Sequence, residues 1–278
     1  MATLLQDLRF AFRSLKRHPL FTAIGVLTLA LGIGLNTAVF SAIEAMLLRP
    51  LSGARAPEEI VQVYRSWPGG MAYGSSSIPH FLDVRDRSQA VFTDVAGWAL
   101  TPVNLSFGGK NERVFGLIAS ASYFSTLGVE MYRGRGFSRD EDVGLAAHRV
   151  IVLSYSAWER TFGGDPSIVG REAVVNGTGY TVVGITAPSF RGTMPMVTPT
   201  LYVPLTQAKD MMPGRGNLFE ERNENFLRIV ARLKPRVTVA QASGTLATIN
   251  RQLLESYPKD YKGTGMTIVR QNEAGIHP

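Results

Sequence analysis

No charged residue occurs between Pro19 and Ile43, and the middle of that stretch, Leu20 to Leu35, is almost wholly apolar. As a helix rising ~1.5 Å per residue it reaches about 37 Å, longer than the ~30 Å hydrocarbon core of a bilayer. The pattern predicts a membrane span over 19–48 rather than a buried core helix. The alternative is a cleaved signal peptide with Ala30 and Gly32 as the small residues before the cut. The apolar pattern runs on through Val39, Phe40 and Ile43, which favours an uncleaved anchor. Ahead of the span, Leu4, Leu5, Leu8, Phe12 and Leu15 share one helical face, and Arg9, Arg13 and Lys16 share another. That arrangement predicts an amphipathic helix over 1–18 lying in the membrane interface, its cations near anionic lipid heads. A short helix with a solvated basic face is the blander reading. Within the span, Ala30, Gly34, Ala38 and Ala42 recur every four residues, a small-residue stripe that lets another helix approach closely. Asn36 and Thr37 add hydrogen-bonding capacity there. A lone span with tolerated small residues fits the same pattern equally well.

Past the span the periodicity shortens and mixes. Ile60–Tyr64, Val103–Phe107, Val114–Ile118, Val150–Leu153, Phe226–Leu233 and Met266–Val269 read as strands, the second and third joined through Gly108-Gly109. Ala173–Val175 and Tyr180–Ile185 flank Asn176-Gly177, the strongest hairpin signal in the chain. Helices are predicted over 79–90, over 122–127 with Gly128 as C-cap, and after Ser156. In the last of these, Ser156 and Glu159 have capping-box spacing, and Trp158 and Phe162 stand at i, i+4. Thr238 and Gln241 are placed to cap a helix whose face is Val239, Ala242, Leu246, Ile249 and Leu253. The fold class is α+β: one N-terminal transmembrane helix, then a mixed α/β core over 50–278 with two subdomains, the first split between the two ends of the region.

Composition narrows the function classes. Hydrophobic residues make up 45% and charged residues 18%, which excludes a disordered chain. A mean hydropathy of +0.05 argues against many spans. Without cysteine there are no disulfides, thiolate metal sites or cysteine nucleophiles. The formal charge is +7, but Arg9, Arg13, Lys16 and Arg17 against Asp7 concentrate much of it before the span. The positive-inside rule then places 1–18 in the cytoplasm and everything after about residue 48 outside it. No basic stripe with interleaved aromatics marks a nucleic-acid groove, so no nucleic-acid partner is expected.

Catalytic and ligand motifs are absent. His18, His80, His148 and His277 have no partner at metal-ligand spacing. There is no HExxH, GxSxG or EF-hand loop, and Lys110 after Gly109 is followed by Asn111 rather than the Ser or Thr of a Walker loop. Gly32-Ile33-Gly34 lies mid-span and follows no strand. Asp140-Glu141-Asp142 reads as a solvated acidic turn before it reads as a cation site. Tyr123, Trp158 and Phe190 read as core before pocket. The chain is therefore not expected to be an enzyme, nor to bind a metal or cofactor of its own.

An ordered series of short segments resembles the MacB-like, FtsX-related ABC transporter permeases. It begins with Gln6-Asp7-Leu8-Arg9-Phe10-Ala11, Leu31-Gly32-Ile33-Gly34 and Leu47-Leu48-Arg49-Pro50-Leu51. It continues with Tyr123-Phe124-Ser125-Thr126-Leu127-Gly128, Gly134-Arg135-Gly136-Phe137, Glu141-Asp142, Leu153-Ser154-Tyr155, Trp158 and Phe162-Gly163-Gly164-Asp165-Pro166. Asn176-Gly177, Tyr180-Thr181-Val182-Val183-Gly184, Phe190-Arg191-Gly192 and Ala231-Arg232-Leu233-Lys234-Pro235 complete it. Each piece is weak alone; the set in order covers nearly the whole chain, closest to permeases encoded without a fused ATPase.

The resemblance implies a periplasmic core with a porter-like subdomain, about 50–115 plus 222–278, and a strand-rich one, about 116–221. It implies a plasma-membrane protein that works as a homodimer or permease pair with a cytoplasmic ABC ATPase, the subunit that binds ATP. Helix movements would then pass to the periplasmic domain. Two departures stand out. Arg236 follows Lys234-Pro235 where the family usually has glycine. Family permeases also continue into three more spans and the loop that contacts the ATPase. The leading expectation is a permease-type component, an N-terminal portion lacking those helices. The alternative is a single-span anchored binding or regulatory module without an ATPase.

Overall fold

The computed structural model describes residues 13, 15–17, 19–47, 51–67, 69–142, 148–194 and 197–274. They form two compact units, Met1–Leu47 and Leu48–Pro278. In the first, helix α1 runs Pro19–Leu47, and its Pro19–Ser41 portion is long and apolar enough to cross a membrane, with none of it buried. Ala30, Gly34, Asn36 and Ala38 are exposed on α1; the side chain of Ala42 lies outside the described residues. Arg13, Lys16 and Arg17 are exposed and helical, while Arg9 and most of the expected interfacial helix also lie outside them.

The second unit is built on one ten-stranded sheet in the order β10-β1-β9-β2-β3-β8-β5-β7-β4, with β6 pairing β2 and β7. Its strands are β1 Ile60–Ser66, β2 Phe92–Phe107, β3 Lys110–Ala119, β4 Met131–Gly134 and β5 Val150–Leu153. The rest are β6 Glu172–Val175, β7 Thr178–Thr186, β8 Leu201–Pro204, β9 Arg228–Leu233 and β10 Gly265–Arg270. Helices α2 Ile78–Arg87, α3 Tyr123–Leu127, α4 Tyr155–Arg160, α5 Ala208–Met211, α6 Val239–Ser256 and α7 Pro258–Tyr261 connect them. The two ends of the core sequence supply β10, β1, β9 and β2; its middle supplies β8, β5, β7 and β4. The line near residue 116 falls inside β3, so hydrogen-bonded pairing is continuous from one half to the other.

Alternation along the strands splits the core between two faces. Val61, Ile118, Ile151, Leu201 and Ile229 face one cluster, which α2 and α6 close with Phe81, Val84, Leu246 and Leu253. Their chain neighbours Ile60, Leu117, Val152, Tyr202 and Val230 face a second cluster, closed by Tyr123, Phe124 and Leu127 of α3 and by Phe190. The α6 helix has the anticipated capping box: the Thr238 hydroxyl accepts from Gln241 N–H, and the Gln241 side chain accepts from Thr238 N–H at 2.8 Å. Ala242, Leu246, Ile249 and Leu253 are buried beneath it.

The start of α4 differs from the sequence expectation. Ser154, in extended backbone, is the N-cap, and its hydroxyl accepts from Ala157 N–H. Ser156 sits inside the first turn, so the Ser156/Glu159 box does not form. The helix stops at Arg160, and Phe162 reaches the core from beyond it.

The turn at Arg236 accounts for the glycine that the resemblance expects there. Val237 N–H donates to Lys234 O at 3.1 Å, Pro235 takes the second position of that turn, and Arg236 follows with φ 68°. A type II turn needs a positive φ at this position, which favours glycine. Arg236→Gly is therefore expected to stabilise the core by about 1 kcal/mol. A urea midpoint unchanged or lowered in the variant would contradict this.

Candidate functional site

The residues 51–59, which follow the apolar helix in the chain, are fastened to the core along their length. Leu51 is buried and Ala54 packs beside it against the aromatic cluster. At Gly53 the chain passes so close to the 189–190 backbone that an added methyl would lie 2.7 Å from Phe190 N. Arg55 N–H donates to Leu127 O at 3.0 Å, at the end of α3. There Gly128 takes the left-handed cap conformation, and a methyl on it would lie 2.8 Å from Arg55 Cβ.

Arg232 closes this junction. It lies on β9 between β1 and β2, on the same side as Val230, with 8% of its surface exposed. Its Nε donates to Thr126 O at 2.9 Å and its Nη2 to Arg55 O at 2.6 Å. Its Nη1 pairs with Glu59 Oε2 at 2.8 Å and reaches Ala56 O at 3.4 Å. One rigid guanidinium thus joins the incoming chain, α3 and the central strand β9, a use of the planar donor fork that lysine cannot copy.

Some of the motif residues from the sequence pack in the aromatic cluster beside this junction. Tyr123, Phe124, Leu127 and Phe190 are buried together, with Phe124 and Phe137 ring centroids 5.5 Å apart. Burial pushes the Tyr123 hydroxyl well above its ordinary pKa despite its bond to Thr193, so it stays a neutral packing group. Gly134 and Gly184 face each other across β4 and β7. Arg135 makes two bonds to Glu141, at 2.8 and 3.1 Å, and Ser138 N–H adds a third at 2.7 Å. Burial raises the Glu141 carboxyl, but the Arg135 and Ser138 bonds outweigh it and hold it below its ordinary value. The acidic triplet is thus not a solvated turn: Asp140 is exposed, Glu141 is 2% exposed, and Asp142 is partly buried. Among the described residues no group of His, Asp and Glu is arranged to hold a metal.

A second set lies elsewhere on the core. Trp158 Nε1 donates to Asp165 O at 2.8 Å, closing the turn that carries Gly163. Phe162 packs against Phe107 with ring centroids 4.4 Å apart and planes tilted by 50°. Asn176 and Gly177 form the β6–β7 turn with φ 50° and 81°, and Asn176 Oδ1 accepts from Asn104 N–H at 2.9 Å. Val183 packs beside the aromatic cluster. These residues fix loops and bring no reactive groups together.

Three groups were named in the sequence without the role that the structure gives them. Arg232 had a signal: it shares strand parity with inward-facing Val230, and a charge at an inward position demands partners. His80 is sealed in the core with its Nδ1 3.0 Å from Tyr261 Oη. Burial, with Arg65 and Arg222 nearby, pushes it down to about 3, so the imidazole is neutral. The part-buried Arg222–Asp83 pair at 2.6 Å extends that polar contact, with Arg222 also donating to Tyr261 Oη at 3.1 Å.

The third group is Asp142. Burial pushes its carboxyl up to about 6, against the Ala121 N–H bond and the charge of Arg85, with Glu141 adding to the rise. The fold therefore favours the protonated acid, whose unfolded pKa is about 3.9. Its stabilising contribution is complete below about pH 4 and is lost as pH rises through about 6. Relative to Asp142→Asn, wild-type stability should fall across that window. A flat difference in urea midpoints from pH 4 to 8 would contradict the assignment.

An apolar helix long enough to cross a membrane, followed by a mixed sheet core that holds its own first segment, defines an α+β chain with one candidate span. The family model for the MacB-like periplasmic core domain matches residues 22–249, and the chain belongs to that family. The periplasmic region of MacB from Actinobacillus actinomycetemcomitans superposes with a TM-score of 0.57 at 16% identity, over 81% of this chain and 93% of that one. A domain of a putative permease protein from Porphyromonas gingivalis gives 0.58 at 16%, over 78% and 91%. The extracellular domain of the noncanonic ABC-type transporter YknZ from Gram-positive bacteria gives 0.53 at 13%, over 75% and 99%. At these identities the likeness establishes the fold. No curated protein matches the chain.

Proposed function

We propose that this chain is a permease-type membrane component of an ABC transport or mechanotransmission system, with α1 in the plasma membrane and the core outside the cytoplasm. Membership of the MacB-like family supports the system. The Arg232 junction carries the transmission role, because displacement of residues 51–59 would be delivered directly to α3 and β9. ATP is bound by a separate cytoplasmic ATPase, and Arg9, Arg13, Lys16 and Arg17 hold the N-terminal segment at the inner membrane surface. The Ala30, Gly34, Ala38 and Ala42 stripe, with Asn36, pairs with the span of a second permease copy.

The test is purification of the tagged protein from its own cells in mild detergent. An ABC ATPase should co-purify stoichiometrically and should lose its partner when α1 is exchanged for an unrelated span. A full-length preparation that carries no ATPase would favour the anchored regulatory module instead. For the stripe, Gly34→Leu should reduce disulfide crosslinking between cysteines introduced in paired spans several-fold; unchanged crosslinking would refute it.

A further inference from the structure

A pocket of about 510 Å³ opens between α4 and the segment around Phe190. That volume falls in the range of about 300–1,000 Å³ typical of small-molecule sites. Tyr155 and Phe190 give it aromatic walls, and Ser156 and Thr198 bring hydroxyls to it. Its charged groups are Arg160, Arg191 and Glu159.

The two cations are not spent elsewhere. Arg160 donates through Nε to Ser156 O at 3.2 Å, one turn back in α4. That bond orients the guanidinium and leaves its Nη groups without a partner among the described residues. Arg191 is exposed and enters no ion pair among them. Glu159 is already met by the Tyr155 hydroxyl. Two cations against one engaged carboxylate leave the lining positive. Guanidinium forks suit phosphate and carboxylate oxygens. A phosphate monoester offers three acceptor oxygens, enough for both forks and a hydroxyl, where a carboxylate offers two.

The pocket's flanks add a second observation. Phe190 lies against Gly53, which stands six residues past Leu47, the last residue of α1. Beside the pocket Tyr132, 44% exposed, packs on Tyr155 and Trp158 with ring centroids 5.1 and 5.2 Å away. Exposed tyrosine beside arginine is a composition that suits the headgroup layer of a membrane.

We propose that this pocket binds a phosphate-bearing ligand, Arg160 and Arg191 gripping the phosphate and Tyr155 packing on the body that carries it. The phosphate belongs either to a lipid headgroup or to a soluble phosphomonoester. The inference is independent of any coupling to an ATPase.

The test is native mass spectrometry of the full chain in mild detergent with four probes: glycerol 3-phosphate, lactate, phosphatidic acid and diacylglycerol. Each phosphate probe should bind at least ten-fold more tightly than its phosphate-free counterpart, lactate or diacylglycerol. Arg160→Ala/Arg191→Ala should weaken both phosphate probes at least ten-fold. Lys110→Ala/Arg113→Ala removes the same charge from the exposed β2–β3 hairpin and should leave them unchanged. Phosphatidic acid binding more tightly than glycerol 3-phosphate, with that advantage lost in the pocket variant, identifies the lipid source; equal affinity of the two identifies the soluble one. No phosphate binding at millimolar concentration, lactate binding as tightly as glycerol 3-phosphate, or equal weakening by the hairpin variant would overturn the proposal.

Discussion

Gly134→Ala is expected to cost the core about 3–5 kcal/mol, while Gly163→Ala costs about 1. Both glycines sit at φ 68°, so the conformational penalty of a side chain is the same at each. Their surroundings differ. Nothing approaches an added methyl at Gly163. At Gly134 the methyl would overlap the Val183 carbonyl oxygen and lie 2.9 Å from Gly184 Cα. Both obstacles are backbone of β7, a strand held by β4, β5 and β6, so neither can swing aside as a side chain would. The difference between the two urea midpoints isolates the collision from the left-handed conformation. Equal losses would mean that the β4–β7 contact is loose and that Gly134 matters only for its backbone angle.

Arg232→Met is expected to cost a further large amount, about 3–5 kcal/mol, because it removes the cation from a buried network whose carbonyl acceptors stay behind. Thr126 O, Arg55 O and Ala56 O lose their donor together, and Glu59 loses its partner. The loss should be local before it is global: amide hydrogen exchange in 51–59 should accelerate at denaturant concentrations where β5 and β7 remain protected. Arg232→Lys should not restore protection, since a single ammonium cannot reach Thr126, Arg55 and Glu59 at once. Uniform acceleration across the sheet would show a general stability role instead of a junction.

The parts of this fold that were legible in the sequence are those written in local chemistry. The uncharged run from Pro19, the Thr238 capping box, Asn176-Gly177, and the Gly108-Gly109 link each carry their own physical instruction. The family itself was readable because many short motifs occur in order. What was missed depends on neighbours distant in the chain. Strand β2 begins eleven residues before the segment read as Val103–Phe107, because its stretch from Val95 to Ala99 is buried on both faces and shows no alternation. Strands β4 and β8 are four residues each and take their pairing from β7, β3 and β5. The Ser156 cap failed because Ser154, two residues earlier, had the extended backbone that a cap requires.

The motif glycines have the same lesson for the site. Gly134-Arg135-Gly136-Phe137 and Val183-Gly184 were recognisable as family segments fifty residues apart. Only the structure gives the reason: Gly134 must clear Val183, and Gly184 must clear the Arg135 carbonyl. Arg135 and Glu141, six residues apart, then tie that contact to the turn bearing Asp142.

The proposed topology holds the core outside the cytoplasm through α1, with the basic segment on the inner side. The absence of native cysteine makes the test clean. Single cysteines at Lys110→Cys, on the exposed β2–β3 hairpin, and at Arg13→Cys, ahead of the span, are probed in intact spheroplasts with a membrane-impermeant maleimide. Labelling is expected at position 110 without permeabilisation and at position 13 only after it. Labelling at position 13 alone, or at neither position until the membrane is opened, would contradict it.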